Sequence, residues 1–425
     1  MSVEFPQHAP HPYFEAQDDC LLVGGKLLTT LAEEIGTSPF YVYDRAVIAR
    51  RVAEVRAALP PEVELHYAMK ANPMPAVVSC LASLVDGLDV ASIGEWRIAR
   101  NAGVAPQKVS FAGPGKSDAE LEEAATDGIL LNVESEREIA ALARIAARSP
   151  RKPRIAIRVN PDFELKASGM KMSGGPKQFG IDAERVPQVL RGLAELPLTF
   201  VGLHIFSGSQ NLRAESIIEA QNKSLELAIR LSADAPSPIR LLNIGGGFGI
   251  PYFPGETRLD LSAVGANMRA LAARAREALP EAQLAIELGR YLIGEAGIYV
   301  CRVIDRKVSR GQVFLITDGG LHHHLAASGN FGQIIRKNYP VLIGNRVRGA
   351  ARESVCVVGP LCTPLDLLAD RYEMAQASPG DLVAVFQSGA YGLTASPLGF
   401  LSHPAPRELL VGPLSSPTLL PDTAS

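Results

Sequence analysis

The stretch His66-Tyr67-Ala68-Met69-Lys70-Ala71-Asn72 puts one lysine at the end of an apolar strand. Val63, Leu65, Tyr67 and Met69 alternate with polar or small residues, which is the period of a β-strand. The chain then runs through Ala71-Asn72-Pro73 into an apolar helical stretch over 76–84. A lysine where a strand opens into a loop can enter a cavity and form an imine with an aldehyde cofactor. It can equally close a strand at the surface, so its meaning rests on what the chain places beside it.

Working outward, short β-branched or apolar runs alternate with amphipathic stretches from Pro39 to Gly297. Strands are expected at 63–69, 87–91, 108–112, 129–133, 154–159, 200–205, 240–244 and 284–288. Helical patterns fall between them, at 46–59, 134–148, 214–231 and 261–279 among others. Eight strands alternating with helices over this length predict an α/β fold, a (β/α)8 TIM-type barrel. A doubly wound sheet is the alternative. Barrels of this kind carry their chemistry at the C-terminal strand ends. There the sequence gathers Lys70, Asp89, the Gly113-Pro114-Gly115-Lys116 turn, Glu134, Arg158-Val159-Asn160, His204 through Gln210, Gly245-Gly246-Gly247, and Glu287-Leu288-Gly289-Arg290. That concentration at one rim turns Lys70 into a candidate catalytic residue.

The run Gly245-Gly246-Gly247-Phe248-Gly249 follows the seventh strand, where barrels often bind phosphate. Glycines let backbone N–H groups approach an anion without intervening side chains; a tight turn is the plainer reading. Beside an aldehyde cofactor, a carboxylate at Glu287 would keep a pyridine nitrogen protonated. Paired with Arg290, it would only start a helix.

Composition narrows the partners. At 425 residues two domains are expected, and a net charge of −3 with both signs interspersed gives no reason to expect nucleic acid. No apolar run is long enough to cross a bilayer, and the N-terminus lacks the pattern of a signal peptide. Cys20, Cys80, Cys301, Cys356 and Cys362 are scattered without zinc or disulfide spacing, so a cytoplasmic setting is expected. Beyond about residue 297 the pattern changes to strands at 298–304, 312–317, 354–358, 381–387 and 408–411, a mainly β C-terminal domain. The expected organisation is an N-terminal segment 1–38 joining that β domain, a barrel at 39–297, the β domain at 298–412, and a poorly ordered tail at 413–425.

Five motifs then carry a resemblance. They are Tyr67-Ala68-Met69-Lys70-Ala71-Asn72, Gly245-Gly246-Gly247, Glu287-Leu288-Gly289-Arg290, Gly359-Pro360-Leu361-Cys362 and Gly389-Ala390-Tyr391-Gly392. In this order they resemble the alanine-racemase-fold pyridoxal 5'-phosphate decarboxylases, which include diaminopimelate decarboxylase and the eukaryotic-type ornithine decarboxylases. The resemblance implies that Lys70 carries the cofactor and that Asp89 and His204 lie near it. It also implies that Ser209, Gly245, Gly246, Gly247, Gly289 and Tyr391 contact the cofactor, mainly its phosphate. Glu287 would pair with the pyridine nitrogen, and Arg290 would lie near phosphate or substrate. Cys362 would cross a homodimer interface into the partner's site and return a proton to the product.

The departures bear on substrate. The histidine that usually stacks on the cofactor ring is Phe206, which can cover a ring but cannot titrate. The acidic residue that normally follows the cysteine is Thr363, with Asp366 three positions on. The segment from Asp318 to Tyr339 is longer than in diaminopimelate decarboxylase. It resembles a subgroup encoded near exosortase genes and decarboxylases of antibiotic assembly, some of which act on an amino acid tethered to a carrier protein. Arg336, Tyr339, Thr363 and Asp366 are therefore expected to face the substrate, with Arg336 and Lys337 able to meet an acidic acyl carrier. His322, His323 and His324 are adjacent and cannot all point to one side. Loop lining or turn surface is expected for them, not a metal site. The activity implied is decarboxylation of an amino acid or a derivative, with meso-diaminopimelate decarboxylation, racemisation, or cofactor binding without catalysis as alternatives.

Overall fold

The computed structural model describes residues 7–164, 170–171, 174–333, 335–349 and 351–413. All but the first residue of the 413–425 tail lies outside the described residues. Two compact units emerge, one of residues 52–250 and 258–291, the other of 1–51, 251–257 and 292–425.

In the first unit eight parallel strands close on themselves. They are β1 (Glu64–Ala68), β2 (Gly87–Val90), β3 (Val109–Phe111), β4 (Leu130–Val133), β5 (Arg154–Asn160), β6 (Thr199–Ile205), β7 (Leu241–Gly246) and β8 (Gln283–Leu288). Each pairs with the next, and β8 returns to β1 with Glu287 beside His66 and Leu288 beside Tyr67. All eight strands fall where the alternation placed them, and the barrel is the expected (β/α)8 type.

Alternation sorts the side chains. Leu65, Tyr67, Leu88, Val90, Val109, Phe111, Leu131 and Val133 are buried apolar positions of the strands. The other face carries a polar set of His66, Asp89, Ser110, Asn132 and Asn243, also buried. Layers of branched aliphatic residues are the usual barrel filling, so this polar interior is unusual. Serines set the helix starts: Ser92, Ser117 and Ser135 cap the helices Ile93–Asn101, Asp118–Asp127 and Glu136–Ala146 through their side-chain oxygens. Each such cap contributes about 1 kcal/mol and fixes how the chain leaves the rim.

The second unit is built on the strand Gly297–Ser309. It pairs antiparallel with Gln312–Thr317, with Leu382–Val385 and with Phe40–Asp44. Arg352–Val358 lies beside Gln312–Thr317, and Leu367–Ala375 beside Arg352–Val358. Cys20, Leu21, Val23, Leu28 and Leu31 pack with Phe40, Val42, Ile298, Val300, Leu382 and Phe386 in one core. The barrel boundary expected at residue 39 therefore falls later, after Arg51. The reason is pairing: Phe40–Asp44 is bonded to Gly297–Ser309 on one side and to Arg407–Val411 on the other. No described helix is long and apolar enough to cross a membrane.

Candidate active site

Lys70 sits in the helical turn Met69–Ala71 directly after β1, exposed, with its Nζ 5.6 Å from the centre of the Phe206 ring. Gly289, just past β8, lies so close to this turn that a Cβ there would stand 3.0 Å from the Ala71 Cβ. Asp89 is buried on β2, in register with Ala68. One of its oxygens accepts a hydrogen bond from the Ser110 hydroxyl, which itself accepts from Asn132 Nδ2 at 3.3 Å. Glu95, in the helix that Ser92 caps, accepts from the Ala91 N–H at 2.7 Å. Burial raises its carboxyl, against the opposing pull of the Ala91 N–H and the Lys70 ammonium.

Glu287 ends β8, buried, with Oε2 3.2 Å from His204 Nε2 and 3.3 Å from Asn243 Nδ2. Burial works to raise this carboxyl. The His204 ring, with Lys70 and Arg158 further away, outweighs burial and holds Glu287 well below the usual carboxylate range. Neither His204 nitrogen is in hydrogen-bonding geometry with a protein group, although the ring is buried. Asn243 is bound at both ends: its Oδ1 accepts from Gly245 N–H at 2.8 Å while its Nδ2 donates to Glu287. One amide thus ties the carboxylate to the glycine turn.

That turn is a cradle. Gly245 and Gly247 have φ of +68° and +74°, conformations that side chains disfavour. Space is equally tight, since a Cβ on Gly247 would lie 2.2 Å from the Gly208 carbonyl oxygen. The loops after β6 and β7 are hydrogen-bonded to each other. Asn211 N–H donates to Gly247 O at 3.0 Å, and Gly249 N–H donates to Asn211 O at 2.8 Å. The Gln210 side chain closes a second clasp, donating to Ile250 O at 2.7 Å and accepting from Ile250 N–H at 3.2 Å. Ser209 lies in this loop, its backbone paired with Met170. Arg290 begins the turn Arg290–Ile293 after Gly289.

Around the same rim Glu134 binds Arg158 Nη1 at 2.7 Å and the N–H groups of Gly113 and Gly180 at 2.5 and 3.1 Å. Burial would raise the Glu134 carboxyl, but Arg158 and Lys116 hold it down. Lys116 is itself buried against Glu138 at 3.0 Å. Burial lowers its ammonium, against the pull of Glu138 and Glu134.

Lys70, Asp89, His204, Phe206, Ser209, Gly245, Gly246, Gly247, Glu287, Gly289 and Arg290 all belong to the barrel unit, on or just after its strands. The remaining expected residues belong to the β unit. Cys362 is exposed there, and Tyr391, at a φ of +54°, stacks its ring 6.4 Å from Phe331. Thr363 caps its own loop, its hydroxyl accepting from Leu365 N–H at 3.3 Å.

Three of the residues expected to face the substrate make contacts within the β unit. Asp366 is turned inward and 2% exposed, its oxygens accepting from Leu321 N–H at 2.6 Å and Leu361 N–H at 2.8 Å. Arg336 binds Ser328 O, Asn338 Oδ1 and Leu367 O at 3.2, 2.6 and 3.0 Å, so its guanidinium braces its own loop. Tyr339 is buried against Tyr252, ring centres 4.7 Å apart. His322, His323 and His324 are likewise buried, not turn surface. His324 donates through Nε2 to Ser388 Oγ at 2.9 Å and accepts at Nδ1 from Ala327 N–H. Among the described residues no group of His, Cys, Asp or Glu is arranged to hold a metal ion.

Reading the sequence missed Asn243 and His66 as parts of this site. Their signal is weak in the text, because each acts on a partner from another strand or loop. Pyridoxal phosphate suits the barrel end. An accessible lysine, a turn of closely packed glycines, a carboxylate held ionised and the buried imidazole beside it stand together there.

Comparison with known proteins agrees. The model of the pyridoxal-dependent decarboxylase pyridoxal-binding domain matches residues 45–294. An L-glutamyl-[BtrI acyl-carrier protein] decarboxylase of Niallia circulans is 38% identical over 90% of this chain and 90% of its own length. Diaminopimelate decarboxylase of Aquifex aeolicus is 33% identical, with coverage of 94% and 93%. The crystal structure of diaminopimelate decarboxylase from M. jannaschii with L-lysine superposes with a TM-score of 0.86 at 25% identity, covering 95% of this chain and 93% of that one. By fold, motif and relatives, the chain belongs to the pyridoxal-dependent decarboxylases.

Proposed function

We propose that this enzyme removes the α-carboxylate of an amino acid joined to an acyl carrier protein. The observation that carries the substrate assignment is Asp366. It is the acidic residue nearest the Cys362 motif in the chain, and both of its oxygens are taken by backbone N–H groups, one of Leu361 in its own loop and one of Leu321. A free diamino acid needs its distal ammonium paired on entering a desolvated pocket, and an unpaired one costs several kcal/mol. Thr363 cannot supply that charge. A carrier-linked distal group brings no such ammonium, and the 38%-identical relative acts on a glutamyl carrier.

When bound, pyridoxal phosphate supplies the electron sink that lets the carboxylate leave as carbon dioxide. Lys70 would be its attachment point. The N–H groups of Gly246 and Gly247, with Ser209 and Arg290, would receive the phosphate. Glu287 would hold a proton on the pyridine nitrogen, with Asn243 fixing its aim and Asp89 lying below Lys70. Phe206 would cover one ring face and neither give nor take a proton. Cys362, exposed on the single chain, would return a proton to the α-carbon in the partner subunit's site. Phe331, Leu365, Phe400 and Leu401 are exposed apolar groups of the β unit, which supports a homodimer that covers them. Scattered free cysteines fit a reducing, cytoplasmic compartment.

The test is carbon dioxide release from glutamyl and other aminoacyl carriers beside free meso-diaminopimelate, lysine and ornithine. Carrier substrates should dominate. A kcat/KM on free diaminopimelate of about 10⁴ M⁻¹s⁻¹ or above, exceeding that for carriers, overturns the assignment.

A further inference from the structure

Beneath Lys70 the inner face of β1 carries two titratable residues in succession, Glu64 and His66. His66 is 7% exposed. Its Nε2 lies 3.0 Å from Glu64 Oε2, and its Nδ1 lies 3.6 Å from Asp89 Oδ2, close for an ion pair and long for a hydrogen bond. Those two facing atoms, Nδ1 and Oδ2, have no hydrogen-bond partner. Room for the imidazole comes from Gly87, its neighbour in register on β2, where a Cβ would sit 2.8 Å from the ring. The arrangement depends on that glycine. Glu64 is partly exposed and lines, with His66 and Ser110, a cavity of about 530 Å3 among the N-terminal strand ends. Carboxylate, imidazole and carboxylate therefore run from the open N-terminal mouth to Asp89, one rung below the lysine turn.

We infer that His66 is a positioning residue for Asp89: its positive charge lies under the Asp89 carboxylate and fixes it in place below Lys70. A carboxylate and a charged imidazole a few ångströms apart attract each other strongly where little water screens them. The groups facing His66 favour its charge on balance. Burial lowers its basicity, but Asp89 and Glu64 overcome this and raise it to about 10. Asp86 lines the same cavity as a further acid, while Lys108, Arg154 and Arg240 line it as opposing cations. The Asp89 oxygen that does not face His66 takes the Ser110 hydroxyl, so the carboxylate is held from two strands. The placement of the carboxylate at the floor of the site is thus fixed from the end of the barrel opposite Lys70.

The inference rests on the barrel end being the pyridoxal phosphate site, and the experiment separates the two. Holoenzyme is titrated by visible absorption, after borohydride reduction and peptide mapping have located the cofactor on Lys70. In His66→Gln the midpoint of the absorption change should fall by about one pH unit or more, because the carboxylate that favours the protonated chromophore is no longer held below it. Asp89→Asn should show the same fall, and His66→Gln should add nothing in that background. Glu64→Gln, at a partly exposed position that leaves the fold intact, should move the midpoint the same way by less. It keeps the inference testable should His66→Gln misfold. Cofactor on Lys70 with an unmoved midpoint in His66→Gln or Glu64→Gln overturns the role of His66, as does an equal shift with and without Asp89. Cofactor on another lysine overturns the site itself.

Discussion

Glu287 shows how one residue's chemistry depends on strand neighbours. Its carboxylate is buried, yet His204 at 3.2 Å and the Asn243 amide at 3.3 Å keep it charged and aimed. Glu287→Gln should retain cofactor but lose turnover, with a barrier rise of about 2–4 kcal/mol, comparable to losing one preorganised electrostatic contact. Single-turnover kinetics on the loaded enzyme check this, and unchanged rates would leave Glu287 a structural part only. The Glu287 motif was legible in the sequence because its four residues are contiguous. The ring of helpers was not. His66 reads in the text as one more polar residue of an alternating strand, and only the pairing of β1 with β2 brings Gly87 and Asp89 against it. Asp366 went the other way: a carboxylate near a catalytic motif invites a substrate role, and only its two backbone N–H partners show it turned inward.

At the scale of elements, the barrel strands were readable because short apolar runs recur between helical stretches and end in polar or glycine turns. Phe40–Asp44 was harder, since its pairing partners Gly297–Ser309 and Arg407–Val411 lie far along the chain. Leu367–Ala375 is rich in residues that favour helices, Leu, Ala, Arg, Glu and Met, and only its pairing with Arg352–Val358 makes it a strand. The turn holding His322, His323 and His324 carries a consequence for acid stability. Burial pushes His324 and His323 down to about 3, and burial with His403 pushes His322 down to about 4. Folded-state values below the ordinary 6.5 mean that the unfolded chain takes up protons first as pH falls. Their contribution to stability is complete above about pH 6.5 and is lost as pH drops toward 3–4. The melting temperature should therefore fall steadily below about pH 6.5, and with a shallower slope in His324→Phe, whose baseline is lower because two hydrogen bonds are gone. An identical slope in the variant would mean that other groups carry the acid sensitivity.

For the whole molecule, the proposed dimer makes a sharp expectation. Mixing Lys70→Ala with Cys362→Ala under subunit exchange should restore activity at about one quarter of sites, since half the dimers are mixed and each of those has one intact site. No recovery, with exchange demonstrated by mass spectrometry, would mean that each chain completes its own site. The laced loops after β6 and β7 carry a different message, about where this architecture can diversify. Asn211, Gly247, Gly249, Gln210 and Ile250 hold the two loops to each other residue by residue, as two teeth of one zip. An insertion in either would put every later hydrogen bond out of step. By contrast, the Arg310-Gly311 hairpin turn is exposed and has open space around it. Scanning single-residue insertions should find the turn permissive and both loops intolerant. Relatives aligned with this chain should then show length changes at the hairpin and in the long histidine-bearing segment, while the spacings from Phe206 to Asn211 and from Gly245 to Ile250 stay constant. New substrates would be acquired by rewriting the variable segment, around a cofactor cup whose length cannot change.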